Sequence, residues 1–176
     1  DSFHLMKTIM ANYILEGIYF YSGFMFFYNL GRMGKMSGSA QEIRYINRDE
    51  NTHLWLFRNM IIELQKEEPE LFTPDKVTVY REMLKRGVEE EIAWGQYVLG
   101  NDIDGLTMEM ISDYIYYLGN LRARSLNFEP LFEGYEKEPE SMKWVSIYSN
   151  ANNIKTDFFE AKSTAYAKSS AIEDDL

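Results

Sequence analysis

Residues 43–64 have the sequence IRYINRDENTHLWLFRNMIIEL, which contains the clearest helical pattern of the chain. Side chains suited to a protein interior return every three or four positions along it, which is the spacing of one face of an α-helix. This face consists of Ile43, Ile46, Glu50, His53, Phe57, Met60 or Ile61, and Leu64. The pattern therefore predicts a long helix whose core-facing side carries a carboxylate and an imidazole.

An earlier helical pattern covers about residues 2–30 and is apolar on nearly every face. Gly31 and Gly34 follow it, and glycine suits the left-handed backbone that often ends a helix. The part from residue 9 to 30 is apolar enough to raise the question of a membrane span. It contains Glu16 and lacks flanking basic anchors, so a helix buried within protein is the favoured interpretation.

The helix that contains the opening stretch is predicted to begin at Ser39, with Glu42 completing a capping box, and to end near Lys66. Two more helices are predicted over about residues 73–100 and 107–127. The first of these two carries an apolar row that consists of Val77, Tyr80, Leu84, Val88, Ile92 and Trp94. Alternating strand patterns are almost absent, so the fold is predicted to be all-α.

The composition narrows the possible functions. The 176 residues include no cysteine, which excludes disulfides, thiolate ligands and cysteine nucleophiles, so a metal would have to be held by carboxylates and histidines. A net charge of -10 argues against nucleic acid as a partner. No secretory signal is visible, and the cytoplasm is the expected location.

Glu50 and His53 are three residues apart, so their side chains are neighbours on a helix and can reach one metal ion. Taken alone, this short pattern is explained more readily by a hydrogen-bonded core pair. Glu16 lies in the predicted helix of residues 2–30, which is apolar on nearly every face. An ionised carboxylate needs a compensating partner in such surroundings. An arginine, protonation or a role as an acid would each explain it. Two helices that both direct carboxylates into one core favour a metal.

Two segments, LEGIYFY at residues 15–21 and IRYINRDENTHL at residues 43–54, resemble the small subunit of class I ribonucleotide reductase in content, order and separation. The Arg-Asp-Glu-x-x-His run carries most of the specificity. The resemblance extends through the later helices to the tail. It implies a ferritin-like helical bundle, of which this chain is the C-terminal half.

The resemblance also implies roles for individual residues. Glu16, Glu50 and His53 would be ligands of a dinuclear centre that contains iron, manganese or one of each. Asp49 would belong to the hydrogen-bonded chain for radical transfer. Phe20, Phe24 and Ile46 would line the apolar pocket around the radical, although ordinary core packing explains these three as well.

The C-terminal part fits the same family. Residues 1–129 would form bundle helices, and residues 130–176 an extension and tail that docks on the large catalytic subunit. Tyr166 lies where the family has a redox-active tyrosine, and Glu160 matches a nearby acidic position.

The family pattern also requires another aspartate, a second Glu-x-x-His and the radical tyrosine, and none can be placed in this sequence. His4, the other histidine, has no glutamate at the required position. The remaining ligands are therefore expected from an N-terminal half, supplied by a separate chain or by a longer protein, within a homodimer-like assembly.

By the resemblance, the metals create a one-electron oxidant that passes through Asp49 and Tyr166 to a cysteine of the large subunit, where ribonucleotides are reduced. The chain alone is expected to be inactive. Another ferritin-like dimetal oxidase component and a helical interaction module without metal are the alternative hypotheses.

Overall fold

The computed structural model describes residues 2–149. Six α-helices lie within this range: α1 (Ser2–Ile14), α2 (Tyr21–Arg32), α3 (Ser37–Glu67), α4 (Pro74–Val98), α5 (Met108–Ser125) and α6 (Lys143–Ser149). A π-helical turn, Leu15–Tyr19, joins α1 to α2, and short 3-10 segments occupy Pro69–Phe72 and Glu140–Met142. The described residues include no strand, so the all-α prediction is confirmed.

The core forms where α1, the π-helical turn and α2 pack between α3 on one side and α4 with α5 on the other. Its largest fully buried side chains are Tyr13, Tyr28, Tyr80, Met6, Met10, Ile18, Met25, Ile61, Leu84, Leu106, Ile111 and Ile115. The π-helical turn therefore lies inside the layer that both neighbouring layers contact.

The predicted starts of α4 and α5 are confirmed. Pro74 occupies the first turn of α4, where its missing N–H costs no helical hydrogen bond. Thr107 is the N-cap of α5, and its Oγ1 accepts a hydrogen bond from the backbone N–H of Met110 at 3.3 Å.

The predicted extent of the first helix, residues 2–30, agrees with the structure, but a π-helical turn divides it into α1 and α2. The apolar pattern runs through the turn without a break, so periodicity alone gives no sign of the wider turn. Among residues 2–149, no helix combines the length and the apolar character that a membrane span requires.

The capping box predicted at Ser39 and Glu42 is also wrong. Helix α3 begins two residues earlier, after Met36, whose backbone is left-handed with φ of 47°, and no side chain caps it. Ala40 packs tightly under Gly31, where an added Cβ would lie 2.7 Å from the Ala40 Cβ. The helices α2 and α3 therefore approach each other closely in the first turn of α3.

The face that α3 buries differs from the predicted one. Its buried residues, spaced by seven, are Ala40, Asn47, Leu54 and Ile61. Ile46 is 39% exposed, Glu50 is only partly buried, and His53, which was predicted to face the core, is exposed. The predicted row thus follows an edge of the core formed by residues 2–149. Asn47 is buried because its side-chain amide donates a hydrogen bond to the Tyr28 hydroxyl at 2.8 Å.

On α4 the predicted row contacts the core through Ile92 and departs from it at Trp94. Trp94 is exposed, whereas Glu91 and Gly95 are buried. Gly95 faces Ser22 of α2, and a Cβ at Gly95 would lie 2.9 Å from the Ser22 hydroxyl oxygen. The helices approach too closely there for a large side chain.

The short helix α6 was not predicted from the sequence. Met142 and Val145 are fully buried in the same core as the preceding helices. The buried Asn120 side chain binds the loop between α5 and α6 through four hydrogen bonds. Its oxygen accepts from the N–H groups of Leu131 and Phe132. Its amide nitrogen donates to the carbonyls of Phe132 and Tyr135. The chain therefore continues to pack on the bundle beyond residue 129.

Candidate metal centre

Glu16, Glu50 and His53 come together where the π-helical turn crosses the middle of α3. The Nδ1 atom of His53 lies 2.9 Å from Oε2 of Glu50 and 3.8 Å from Oε2 of Glu16. One potential ligand atom from each residue fits within 4.8 Å of the others. The three residues that were predicted to bind metal are thus neighbours in the structure.

Glycine at position 17 permits this crossing. A Cβ on Gly17 would lie 2.9 Å from Cδ1 of Leu54 and 3.0 Å from Nε of Arg122. Leu54 belongs to the buried face of α3, one residue after His53. The bare backbone of the turn therefore lets α3 approach until its carboxylate and imidazole reach Glu16.

The electrostatics of this cluster are those of two carboxyl groups that share limited space. Burial, together with the hydrogen bond and the negative charge of Glu50, raises the pKa of Glu16 to about 7. The hydrogen bond from Glu16 holds the pKa of Glu50 below its ordinary value. The hydrogen bond to Glu50 raises the pKa of His53. The cluster therefore has excess negative charge that a proton or a cation relieves.

The donor set suits a transition metal with hard or borderline ligand preferences. Carboxylate oxygens and an imidazole nitrogen are ligands for iron and manganese, and the three side chains belong to two different helical segments. In bundle proteins with dinuclear carboxylate sites, the ligands project inward from facing helices in this way. The residues present fit part of such a centre.

The three side chains that were predicted to line an apolar pocket are not equally enclosed. Phe24 is buried, and its ring lies 6.0 Å from that of Phe20 in a nearly parallel arrangement. Phe20 is 37% exposed, and Ile46 lies at the exposed edge of α3. Within residues 2–149 they do not close a pocket, so their role around a radical stays a prediction.

The structure gives less information on the residues that were predicted to take part in radical transfer. Asp49 is exposed and forms an ion pair with Arg48 at 3.0 Å. Tyr166 and Glu160 lie outside the described residues. The roles expected for these residues stay predictions.

Two residues that were not predicted to belong to the site contact the backbone of the π-helical turn and of the first turn of α2. Arg122 of α5 donates from Nε to the Gly17 carbonyl at 3.0 Å. Glu91 of α4 accepts from the backbone N–H of Ser22 at 2.8 Å. Glu91 could have been found, because it continues the heptad-like row of Leu84 and places a carboxylate on the buried face.

Comparison with known proteins agrees with this geometry. Residues 1–139 match the family described as "Ribonucleotide reductase, small chain". The chain is 70% identical over 172 residues to the ribonucleoside-diphosphate reductase subunit beta of Treponema pallidum, covering 98% of this chain and 49% of the relative. It is 42% identical over 166 residues to the subunit of the same name from Halalkalibacterium halodurans, covering 94% and 48%. The chain thus spans about half the length of these curated relatives.

Solved structures show the same similarity. The ribonucleotide reductase R2 subunit from Clostridium botulinum superimposes with a TM-score of 0.76 and 51% identity, over 81% of this chain and 44% of that one. This similarity confirms the expected ferritin-like helical fold. The sequence resemblance, the three converging side chains and the fold agree, and the chain belongs to the ribonucleotide reductase small-chain family.

Proposed function

We propose that this chain provides half of the radical-generating small subunit of a ribonucleoside-diphosphate reductase. The observation that carries the proposal is the convergence of Glu16, Glu50 and His53 within 4.8 Å, on two helical segments of a bundle that matches this family. The subunit would support the reduction of ribonucleotides to deoxyribonucleotides, and hence the supply of precursors for DNA replication.

Glu16, Glu50 and His53 would hold part of a dinuclear centre of iron, manganese or one of each. When bound, such a centre supplies the one-electron oxidation that starts the radical chemistry. The chain's own contribution is to place two carboxylates and an imidazole at one point and to keep them there. The two carboxyl groups repel each other when both are ionised, so the site favours positive charge.

The remaining ligands would come from the N-terminal half of the subunit, either as a separate chain or as part of a longer protein. The rim of the cluster supports this assignment, because Leu15, Phe20 and Ile46 are each more than a third exposed around it. Large apolar side chains around a charged site are typical of a surface that another segment covers. The complete subunit would form a homodimer-like assembly.

The oxidising equivalent would leave the site through Asp49 and Tyr166 toward a cysteine of the large subunit. Residues 1–129 would form the bundle, and residues 130–176 would continue into the tail that docks on the large subunit. Reduction of the ribonucleotide would occur on the large subunit, in the cytoplasm, with no role for nucleic acid or a membrane in this chain.

The test is reconstitution of ribonucleotide reduction from this chain, its complementary half and the large subunit, after metal loading. We expect activity only when all three are present. Tyr166→Phe should abolish activity while the metal content stays unchanged, whereas Glu50→Ala should remove both. Activity without the chain, or with Glu50→Ala, would contradict the proposal.

A further inference from the structure

The π-helical turn that carries Glu16 exposes its backbone to side chains from two neighbouring helices. In a continuous α-helix, the Gly17 carbonyl would accept from the N–H of Tyr21, and the Ser22 N–H would donate to the carbonyl of Ile18. In this structure each of these two backbone groups is hydrogen-bonded to an ionisable side chain from a different helix.

Arg122 spans the turn from the α5 side. Its Nε donates to the Gly17 carbonyl at 3.0 Å, and its Nη2 donates to the Tyr21 hydroxyl at 2.9 Å. The guanidinium carbon also lies 5.6 Å from the centre of the Tyr21 ring. One rigid, planar group thus contacts the residue that follows Glu16 and the first residue of α2.

The position of Arg122 is itself held in place. The Tyr13 hydroxyl, in the last turn of α1, donates to the Arg122 carbonyl at 3.0 Å. The absence of a Cβ at Gly17 provides the space for the guanidinium, because a Cβ there would lie 3.0 Å from Nε. Both the backbone and the side chain of Arg122 therefore form hydrogen bonds with the helical segment that contains Glu16.

Glu91 of α4 contacts the backbone just after the π-helical turn, in the first turn of α2. Its Oε1 accepts from the Ser22 N–H at 2.8 Å, and its side chain is almost fully enclosed, with 2% of the residue exposed. A buried carboxyl group is costly unless it makes such hydrogen bonds, so its presence calls for a specific role. Gly95, one turn later, leaves room for the Ser22 side chain.

We propose that Arg122 and Glu91 are positioning residues that fix the π-helical turn from two sides and thereby hold the Glu16 carboxylate beside Glu50 and His53. Neither residue is a ligand. A regular α-helix over residues 15–19 would rotate Glu16 relative to the residues that follow, since the π-turn contains one more residue per turn. The inference rests on the proposed metal-binding function and adds two supporting residues to that site.

The experiment measures Mn²⁺ binding to the complete small-subunit assembly by the electron paramagnetic resonance signal of free Mn²⁺. Arg122→Gln and Glu91→Leu should each weaken the site that uses Glu16 by about tenfold or more, the loss typical of removing a partner that orients a ligand. Binding should persist at saturating Mn²⁺, because all ligands remain.

Conservative variants separate positioning from general stability. Glu91→Gln keeps an oxygen that accepts from Ser22 and should bind Mn²⁺ like the wild type. Arg122→Lys keeps a single donor nitrogen, which cannot contact both Gly17 and Tyr21. The Mn²⁺ affinity of this variant should therefore fall between those of the wild type and Arg122→Gln. If Arg122→Gln does not fold, Arg122→Lys and Glu91→Leu still test the proposal.

Two controls address the alternative that any destabilised variant binds metal less well. Arg124→Gln changes an exposed arginine on the same helix as Arg122. Val145→Ala creates a cavity in the protein core where α6 packs against the other helices. Both should keep the wild-type Mn²⁺ affinity, although Val145→Ala lowers the melting temperature. In Glu91→Leu, the Ser22 amide should also exchange its hydrogen faster, which Val145→Ala should not cause.

The outcomes are distinguishable. Wild-type protein that binds no Mn²⁺ would overturn both the proposed function and this inference. Wild-type binding together with unchanged affinity in Arg122→Gln and Glu91→Leu would overturn the inference alone. An equal loss of affinity in Val145→Ala would show a general effect of stability and would also overturn it.

Discussion

The Nδ1 atom of His53 lies 3.8 Å from Oε2 of Glu16, although the two residues belong to different helical segments. Glu50, one turn before His53 on α3, completes the group. Because a π-helical turn carries Glu16, the cluster depends on an irregular piece of backbone.

Glu16→Gln should stabilise the metal-free protein and weaken its metal binding. The pKa of Glu16 is raised to about 7, so at about pH 8 the metal-free site holds an ionised carboxylate beside that of Glu50. Removing this charge should raise the free energy of unfolding by about 1 kcal/mol, after allowance for partial solvent screening. Urea unfolding of the metal-free assembly measures the change.

The matched control for that substitution is Glu89→Gln, which neutralises an exposed carboxylate on α4. It should change the free energy of unfolding by less than about 0.5 kcal/mol. A metal-free Glu16→Gln variant that is less stable than the wild type would show that the Glu16 carboxylate is not under electrostatic stress.

The buried Glu91 should make stability depend on pH. Burial raises the pKa of Glu91 from 4.5 to about 7 in the folded protein. Between these two values the folded protein keeps a proton that the unfolded chain has lost. The free energy of unfolding should therefore fall as the pH rises through this window, by at most about 3 kcal/mol.

The comparison of wild type with Glu91→Gln isolates this contribution. The amide does not titrate but still accepts from Ser22, so the variant should lose the part of the pH dependence that Glu91 causes. Chemical denaturation of both metal-free proteins at a series of pH values tests this. Parallel stability curves for the two proteins would assign the pH dependence to other groups.

Gly17→Ala should lower both the Mn²⁺ affinity and the stability of the protein, whereas Gly119→Ala should lower only its stability. A Cβ on Gly17 would lie 2.9 Å from Leu54, and one on Gly119 would lie 2.6 Å from Val88. Both substitutions overpack the interior and should cost about 1–3 kcal/mol of stability. Only Gly17→Ala changes the turn beside Glu16, so only it should reduce Mn²⁺ affinity. Equal reductions in the two variants would contradict this account.

Where chemistry acts locally, the sequence predicted the structure well. Pro74 and Thr107 mark the starts of α4 and α5 because a missing N–H and a side-chain cap act within one helical turn. The choice of Glu16, Glu50 and His53 depended on residue type in an apolar setting and on the family resemblance. These three residues could therefore be chosen without knowing how the helices pack.

The errors occurred where tertiary contacts decide the outcome. Near the start of α3, Ala40 closely approaches Gly31 of α2. At the turn that divides the first helix, the backbone is hydrogen-bonded to Arg122 and Glu91, which are distant in sequence. The predicted face of α3 was rotated toward Glu50 and His53. Asn47 was not part of the predicted face, yet it is buried, and the Tyr28 hydroxyl accepts the hydrogen bond of its side-chain amide inside the core.

The most direct test of the central claim is elemental analysis of the complete small-subunit assembly purified with this chain. The account predicts about two iron or manganese ions per small subunit, as in dinuclear carboxylate bundles. It also predicts that Glu50→Ala and His53→Ala each reduce this number while the helical fold persists. A metal-free assembly, or one whose metal content is unchanged in both variants, would contradict the assignment of Glu16, Glu50 and His53 as metal ligands.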